Sequence, residues 1–209
     1  DISGRVRTGK VMLYNPENGR RIKEPHNYIT WVHSLLKKEN FNLRQCLFGE
    51  HLLSSDRQRP VALVESEKSA LISSFYLPQY LWIASGGKNG AFNRDAMSVL
   101  RNRRVLLFPD LGATDYWNSK MEMIRNLGIE VSLFDFMERN AIKEERDAGY
   151  DIADFLLREE TKEAIFNRLI TLNPALKTMV ETFDLQFVNV EKAPLSATVQ
   201  HTRKGLFKR

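Results

Sequence analysis

The sequence has one cysteine and no long hydrophobic run. Cys46 stands alone among 209 residues, which excludes a disulfide framework and a cysteine-rich zinc module within the chain. The most apolar stretches, 61–64 and 105–109, have the length of buried strands, far below the roughly 20 residues of a membrane span. We therefore expect no membrane segment and a reducing, cytoplasmic compartment. No signal peptide is apparent, and because the sequence starts with Asp1 rather than Met, we expect a piece of a longer protein.

Several common site motifs are also missing. The four histidines are scattered without the spacing of metal ligands, so each is interpreted as structural or exposed. Cys46 has no histidine motif beside it and is interpreted as a core residue. The segment Ser85-Gly86-Gly87-Lys88 is too short for a Walker A phosphate loop. These absences turn attention to the charged residues.

Basic residues are in modest excess but lie in clusters. The chain has 31 Lys and Arg against 26 Asp and Glu, a net charge of +5. One cluster lies within the first 23 residues, a second is Arg101, Arg103 and Arg104, and the third is Arg203, Lys204, Lys208 and Arg209. Each cluster alone fits a solvated surface. Three together favour a polyphosphate partner, namely DNA or RNA, in single-stranded form, with nucleotides as further candidates.

Four short apolar runs predict an α/β fold. The runs are Val61–Val64, Leu81–Ala84, Val105–Phe108 and Ile129–Phe134, and helical segments separate them. One of these helices, at about 114–127, places its apolar side chains at spacings of four and three. Runs that alternate with helices are typical of βαβ units with a parallel sheet buried on both faces. We predict a Rossmann-like parallel sheet over about residues 60–135, with helices on both faces.

The flanking segments predict further parts. Residues 5–23 are predicted to form a hairpin, and residues 27–40 a helix. The polar stretch at 54–60 marks a boundary. The predicted organisation is a small N-terminal α+β subdomain at 1–58, the sheet domain at 59–157, a helical extension at 158–190, and a basic tail at 191–209 that is expected to be disordered.

Acidic residues follow two of the predicted strands. Glu65 comes directly after the first run, where burying a charged side chain costs free energy unless the charge serves a function. Asp110 follows the third run, and the glycine turn Gly86-Gly87 follows the second. The carboxyl ends of parallel strands meet at one sheet edge, where ligands bind in open α/β folds. The pattern therefore predicts a Mg²⁺ site that faces phosphates.

The other acidic residues allow simpler interpretations. Glu67 starts a helix, where an acid is favourable in any case, and Asp135 fits a solvated strand end. Asp110 itself could cap the turn before Gly112. Asp151 and Asp154 form a later pair at i, i+3 spacing; one is expected to cap the next helix and the other to reach back to the site.

This pattern resembles the Toprim domain, the Mg²⁺-binding module of bacterial-type primases, topoisomerases and some nucleases. Its first motif, a strand ending in Glu, is matched by residues 61–65, with Ser66 in the usual glycine place. Of the later Asp-x-Asp motif, Asp110 matches the first acid, and Gly112 stands in place of the second. The segment 149–156 is similar to the primase branch, as is the N-terminal region. The resemblance covers about residues 5–157 and extends to Toprim-containing proteins of Bacteroidetes and their mobile elements.

The resemblance implies a function and a set of site residues. Glu65 would be the general acid/base of nucleotidyl or phosphoryl transfer in DNA replication or mobile-element maintenance. Mg²⁺ or Mn²⁺ would be held by Asp110, Glu65, Asp151 and Asp154. Phosphate or nucleic acid would contact Lys68, Gly86, Gly87, Lys88, Arg101, Arg103 and Arg104. Primase-like proteins often carry a zinc-binding module, which here would lie outside this chain.

Three alternatives stay open. One is a Toprim-type Mg²⁺-dependent nuclease, which would use the same carboxylates. Another is a degenerate Toprim scaffold that binds nucleic acid without chemistry, which Gly112 favours. The third, a receiver-like domain phosphorylated on Asp110, needs a lysine after a fifth strand that is not apparent in the sequence.

Overall fold

The computed structural model describes residues 1–17, 19–87, 90–158 and 162–186. The chain divides into two compact units, Asp1–Glu159 and Glu160–Arg209. Within the described residues, no helix has the length and apolar character that a membrane crossing requires. The predicted basic tail and Lys88 lie outside the described residues.

The first unit combines two small sheets with short helices. Its strands are β1 (Lys10–Met12), β2 (Ile29–Trp31), β3 (Val61–Val64), β4 (Leu81–Ala84), β5 (Arg104–Leu107) and β6 (Glu130–Leu133). Its α-helices are α1 (Val32–Leu35), α2 (Glu67–Tyr76), α3 (Arg94–Met97), α4 (Thr114–Arg125), α5 (Phe136–Asn140), α6 (Lys143–Ala148) and α7 (Ile152–Leu156), with 3₁₀ turns at Glu50–Ser54 and Ser98–Leu100. The second unit contains α8 (Lys162–Leu172) and α9 (Pro174–Phe183), separated at Asn173-Pro174 as the sequence predicts.

The larger sheet has four parallel strands in the order β4-β3-β5-β6. Val61 pairs with Leu81 on one side and with Val105 on the other. Every residue of β3 and β4 is buried, which explains why these strands are continuous apolar runs rather than alternating ones. The predicted mixed α/β architecture with a parallel sheet is confirmed.

Successive residues of each central strand point to opposite faces, and both faces are covered. Leu63 and Ile83 belong to a core with Trp117 of α4, whose side chain is fully buried. Val64 packs on the other face in a second core, which includes Ile152 of α7. Helices on both faces therefore fix the strands, and with them the loops at the carboxyl edge of the sheet.

The N-terminal region differs from the sequence prediction. Residues 29–31 form β2, which pairs antiparallel with β1, and only Val32–Leu35 is helical. The predicted helix over 27–40 is therefore wrong. Its first half carries β-branched and aromatic side chains that favour a strand once a partner is available. The predicted hairpin is present in reduced form, with an antiparallel bridge between Tyr14 and Arg21.

The N-terminal region is joined to the larger sheet by backbone bonds. Phe48 and Ala84 exchange hydrogen bonds of 2.8 and 3.1 Å, which extends the sheet beyond β4. The buried Glu50 carboxylate accepts hydrogen bonds from the backbone N–H groups of Ile2 and Leu47, at 2.7 and 3.2 Å. Residues 1–58 therefore belong to the same compact unit as the sheet. The functional division at residue 58 stays a prediction.

Candidate functional site

Four carboxylates gather at the carboxyl edge of the larger sheet. Glu65 follows β3 and Asp110 follows the neighbouring strand β5, as expected from the sequence. The charges of Glu65, Asp151 and Asp154 all act on Asp110. We call these four residues the carboxylate edge. Lys68, in the first turn of α2, is the cation that acts on the same group.

Asp110 is the most perturbed residue of the carboxylate edge. Its Oδ1 is buried and has no hydrogen-bond partner among the described residues. Burial raises the pKa of Asp110 to about 8, the negative charges of Glu65 and the other two carboxylates add to the rise, and Lys68 opposes it. A buried acceptor without a donor is uncommon in folded proteins, because its lost hydration is not replaced. The site thus has an acceptor that a cation would satisfy.

Asp151 is a helix-capping residue in this structure. Its Oδ1 accepts hydrogen bonds from the N–H groups of Ala153 and Asp154, and its Oδ2 accepts one from Ser69 Oγ at 2.5 Å. Asp154 returns a bond by accepting from the N–H of Asp151, which completes a capping box. Both oxygens of Asp151 therefore accept hydrogen bonds within the protein. Its role as a metal ligand stays a prediction.

The carboxylate edge is not an assembled metal centre. Across residues 1–17, 19–87, 90–158 and 162–186, no group of three or more His, Cys, Asp or Glu side chains could hold a metal ion. Asp110 and Glu65 remain the pair with the appropriate chemistry, and their role as metal ligands stays a prediction.

Serine side chains connect the two helices beside the site. Ser66 caps α2 by accepting from the N–H of Ser69. Ser69 Oγ lies 2.8 Å from Ser66 Oγ and donates to Asp151. The N-termini of α2 and α7 therefore meet at the carboxylate edge, where their positive dipole ends favour negative charge.

The glycine turn positions Glu65. The N–H groups of Gly86 and Gly87 donate to the backbone carbonyl of Glu65, at 3.0 and 2.9 Å. In this structure both amides hold the backbone of Glu65. Their contact with a phosphate stays a prediction.

Lys10 reaches the same turn from the N-terminal region. Its ammonium group lies 2.9 Å from Glu67 Oε1 and also donates to the carbonyl of Gly86. It lies 5.7 Å from the centroid of the Trp31 ring. The sequence indicated Lys10 only through its position in the N-terminal basic cluster. Lys10 therefore compensates the negative charge of Glu67 beside the carboxylate edge.

A carboxylate from α5 contacts the loop around Gly112, which follows Asp110. Gly112 donates its N–H to Glu138 Oε2 at 2.9 Å, and Thr114 Oγ1 donates to the same oxygen at 3.2 Å. Arg146 forms an ion pair with Glu138. The N–H of Gly112 holds the pKa of Glu138 below its usual range, aided by Thr114 and Arg146. Glu138 therefore anchors this loop, a role that nothing in the sequence indicated.

The arginines of the second basic cluster lie at the opposite end of the sheet. Arg101, Arg103 and Arg104 come before or at the start of β5, whereas Asp110 follows its end. The guanidinium of Arg103 donates to the carbonyls of Leu53, Asp56 and Arg59 at 2.8–3.1 Å. A four-residue strand separates the two ends by roughly 13 Å. These arginines therefore lie away from the carboxylate edge, and their contact with phosphates of a nucleic acid stays a prediction.

Comparison with known families adds a classification. Residues 1–111 match the family model described as "Domain of unknown function (DUF6371)". The chain belongs to the DUF6371 family. No curated protein and no solved structure matches the DUF6371 chain. The matched span contains Glu65 and Asp110, whereas Glu138, Asp151 and Asp154 lie beyond it.

Arg103 of the DUF6371 chain is expected to stabilise the fold. Arg103→Ala should lower the free energy of unfolding by about 1–3 kcal/mol, because three backbone carbonyls lose a charged donor. Arg104→Ala, at an exposed neighbouring position, is the matched control and should change it by less than about 0.5 kcal/mol. Urea denaturation measures both. Equal stability of the two variants would contradict the structural role of Arg103.

Proposed function

We propose that this chain carries a Toprim-like domain of the primase type, which binds Mg²⁺ or Mn²⁺ and nucleic acid for nucleotidyl or phosphoryl transfer. One observation carries the proposal. The Oδ1 atom of Asp110 is buried without a hydrogen-bond partner among the described residues, and Glu65 lies close enough for its charge to act on Asp110. Two acids placed this way disfavour each other's ionised form, and a divalent cation relieves that cost.

The residues at the edge have distinct roles in this proposal. Asp110 and Glu65 would hold the cation, with water or substrate oxygens as the remaining ligands. When bound, Mg²⁺ would neutralise phosphate charge and order the reacting groups. Glu65, held by the Gly86-Gly87 turn, would move the proton of the attacking hydroxyl. Lys68 supplies positive charge beside Asp110.

Two arginines support the approach of phosphates to this edge. Arg20 donates to Tyr150 Oη at 3.2 Å, and the guanidinium of Arg158 lies 5.1 Å from the centroid of the Tyr150 ring. The backbone carbonyl of Tyr150 accepts from the N–H of Leu111, which ties both arginines to the loop after Asp110. Arg20 belongs to the N-terminal basic cluster of the sequence, and Arg158 also forms an ion pair with Glu145.

Binding to single-stranded nucleic acid should weaken with salt. If three to five phosphates are contacted, log K is expected to fall with log salt at a slope of roughly −2 to −4. Fluorescence anisotropy with a labelled oligonucleotide measures this slope. Truncation after Val199, which removes four basic residues, should reduce affinity while leaving thermal unfolding unchanged. Absent binding at low salt, or binding indifferent to salt, would overturn the nucleic-acid part of the proposal.

A binding scaffold without catalysis is the second candidate. Gly112 supplies no carboxylate, and both oxygens of Asp151 accept hydrogen bonds from the protein: Oδ1 caps α7 and Oδ2 accepts from Ser69. Incubation with single-stranded DNA, nucleoside triphosphates and Mg²⁺ or Mn²⁺ separates the outcomes. Primer synthesis supports the primase-like proposal, strand cleavage supports the nuclease alternative, and binding with neither product supports the scaffold. An EDTA arm identifies products that depend on a metal.

A further inference from the structure

A cavity opens between the N-terminal region and the β4 end of the larger sheet. It measures about 550 Å³, a size typical of small-molecule sites. Its lining includes Lys10, Trp31, Cys46, Phe48, Glu67 and Gly86. Both the small sheet and the segment before the 3₁₀ turn at Glu50–Ser54 therefore contribute walls, while the carboxyl edge of the larger sheet closes one end.

The walls combine an aromatic surface with charged groups already paired. Trp31 is only partly buried, and Met12 and Leu47 add apolar surface. Glu67 alone would repel an anion, but its ion pair with Lys10 offsets that charge. Arg5 and Arg7 also line the cavity, and each forms an ion pair with Asp1. The aromatic and apolar walls match a ligand with a flat ring.

The cavity and the carboxylate edge lie beside each other along the sheet. Gly86 lines the cavity and also donates its N–H to the backbone of Glu65. The strand order places β4 beside β3, and β3 beside β5. Since neighbouring strands lie about 4.8 Å apart, the distance from the cavity wall at β4 to the end of β5 is roughly 10 Å. This distance is comparable to the length of a nucleoside phosphate.

We propose that this cavity binds the base of a nucleotide, stacked on Trp31, with the phosphates extending towards Glu65 and Asp110. The direction of the phosphates rests on the proposed function. Binding of the base is inferred from the volume and the lining residues of the cavity alone. The same chemistry is supplied by a free nucleotide and by the end of a single strand. Aromatic stacking tolerates every base, so we expect weak discrimination among bases.

Cys46 provides a direct test with the unmodified protein. It is the single cysteine of the chain, it is partly buried, and it lines the cavity. The rate of alkylation by N-ethylmaleimide is measured with adenosine, ATP or a short oligonucleotide present, each in EDTA and in Mg²⁺. A bound base should slow alkylation at least fivefold. Greater protection by ATP assigns the site to free nucleotides, and greater protection by the oligonucleotide assigns it to a strand end. Protection by none of the three overturns the inference.

Variants at Trp31 test the stacking contact. Trp31→Ala should weaken ligand binding about tenfold, and Trp31→Phe should retain most of it. Phe75→Ala, at an exposed aromatic position outside the cavity lining, is the matched control. Calorimetry with the ligand that protects Cys46 best gives the affinities, and circular dichroism checks the fold. Equal affinities for Trp31→Ala and the control would overturn the inference; should Trp31→Ala fail to fold, the Cys46 protection on the unmodified chain still decides.

The failure of this inference and of the proposed function are distinguishable. Adenosine lacks phosphates, so its protection of Cys46 in EDTA does not depend on a metal. Protection by adenosine together with absent Mg²⁺ binding would leave the base site standing and remove the proposed function. Mg²⁺ binding at Asp110 without protection of Cys46 by any of the three ligands would overturn the base site and leave the proposed function standing.

Discussion

Asp110→Asn is expected to abolish Mg²⁺ binding, with a loss of affinity of at least 100-fold. The substitution keeps the shape of the side chain but removes the negative charge whose buried oxygen lacks a donor among the described residues. Isothermal titration with MgCl₂ and MnCl₂ measures the loss. Asp147→Asn, at an exposed position in α6, is the matched control and should bind as the unmodified chain does. Unchanged affinity in Asp110→Asn would contradict the proposed site.

The pH dependence of metal binding follows from the pKa of Asp110. Because this pKa is raised to about 8, the carboxyl group is largely protonated at pH 7 and must release a proton when a metal binds. The apparent affinity should therefore rise about tenfold per pH unit between pH 6 and pH 8, and then level off. An affinity that does not vary over this range would contradict the buried environment of Asp110.

The same pKa shift predicts how stability varies with pH in EDTA. Asp110 has a higher pKa in the folded state than the ordinary value of 3.8, so the unfolded state loses its proton first. The folded chain should therefore lose stability as pH rises from about 4 to about 8, by on the order of 5 kcal/mol. Asp110→Asn should lose less stability over this pH range and should be more stable than the unmodified chain at pH 8. Asp147→Asn should show the same pH dependence of stability as the unmodified chain. Urea denaturation at several pH values measures these differences.

Glu65→Gln is expected to reduce any metal-dependent catalysis by at least 100-fold. The substitution removes the group that would transfer a proton but leaves the backbone carbonyl that accepts from Gly86 and Gly87. Nucleic-acid affinity should change less than threefold, because Glu65 contributes no positive charge. Product formation and anisotropy are measured on the same preparation. Equal catalysis by the variant and the unmodified chain would show that the assigned mechanism is wrong.

Gly112→Asp provides the complementary gain-of-function test. Gly112 lies at φ +81°, and a Cβ built there meets no atom within 4 Å. Asp enters this left-handed conformation at a cost of about 1 kcal/mol, so the variant should fold. The added carboxylate stands in the place of the second Toprim acid and should raise Mg²⁺ affinity. Activity in Gly112→Asp but not in the unmodified chain would support the scaffold, and no change in Mg²⁺ affinity would contradict the Toprim-like arrangement.

The sheet could be predicted because its strands are buried on both faces. Residues 61–64 and 81–84 carry only apolar side chains, and the structure places strands at these positions. The face of α4 was equally predictable, since the spacing of Trp117, Met121 and Ile124 matches one side of a helix. In each case the information lies within a few consecutive residues.

The N-terminal region could not be predicted in the same way. Whether residues 29–31 form a helix or a strand depends on pairing with β1, about 20 residues earlier. The role of Arg103 depends on carbonyls 44 to 50 residues away in the sequence. A basic cluster in a sequence shows charge but not what that charge contacts.

The candidate site was predictable only in outline. The rule for strand ends correctly placed Glu65 and Asp110 at one edge of the sheet. The sequence left open which acid of the later pair caps α7, and the structure assigns this to Asp151. The contacts of Lys10 with Glu67 and of Glu138 with Gly112 join separate elements, so no local pattern could indicate them.

The packing of α4 and α7 sets a lower limit on the length of chain that can be produced as folded protein. A fragment ending at residue 111, where the family match ends, would lose α4 and expose Leu63 and Ile83 on one face of the sheet. It would also lose β6, leaving β5 as an unpaired edge open to aggregation. Since Ile152 and Ala153 close the other face, a gene trimmed for expression needs to extend through the end of α7.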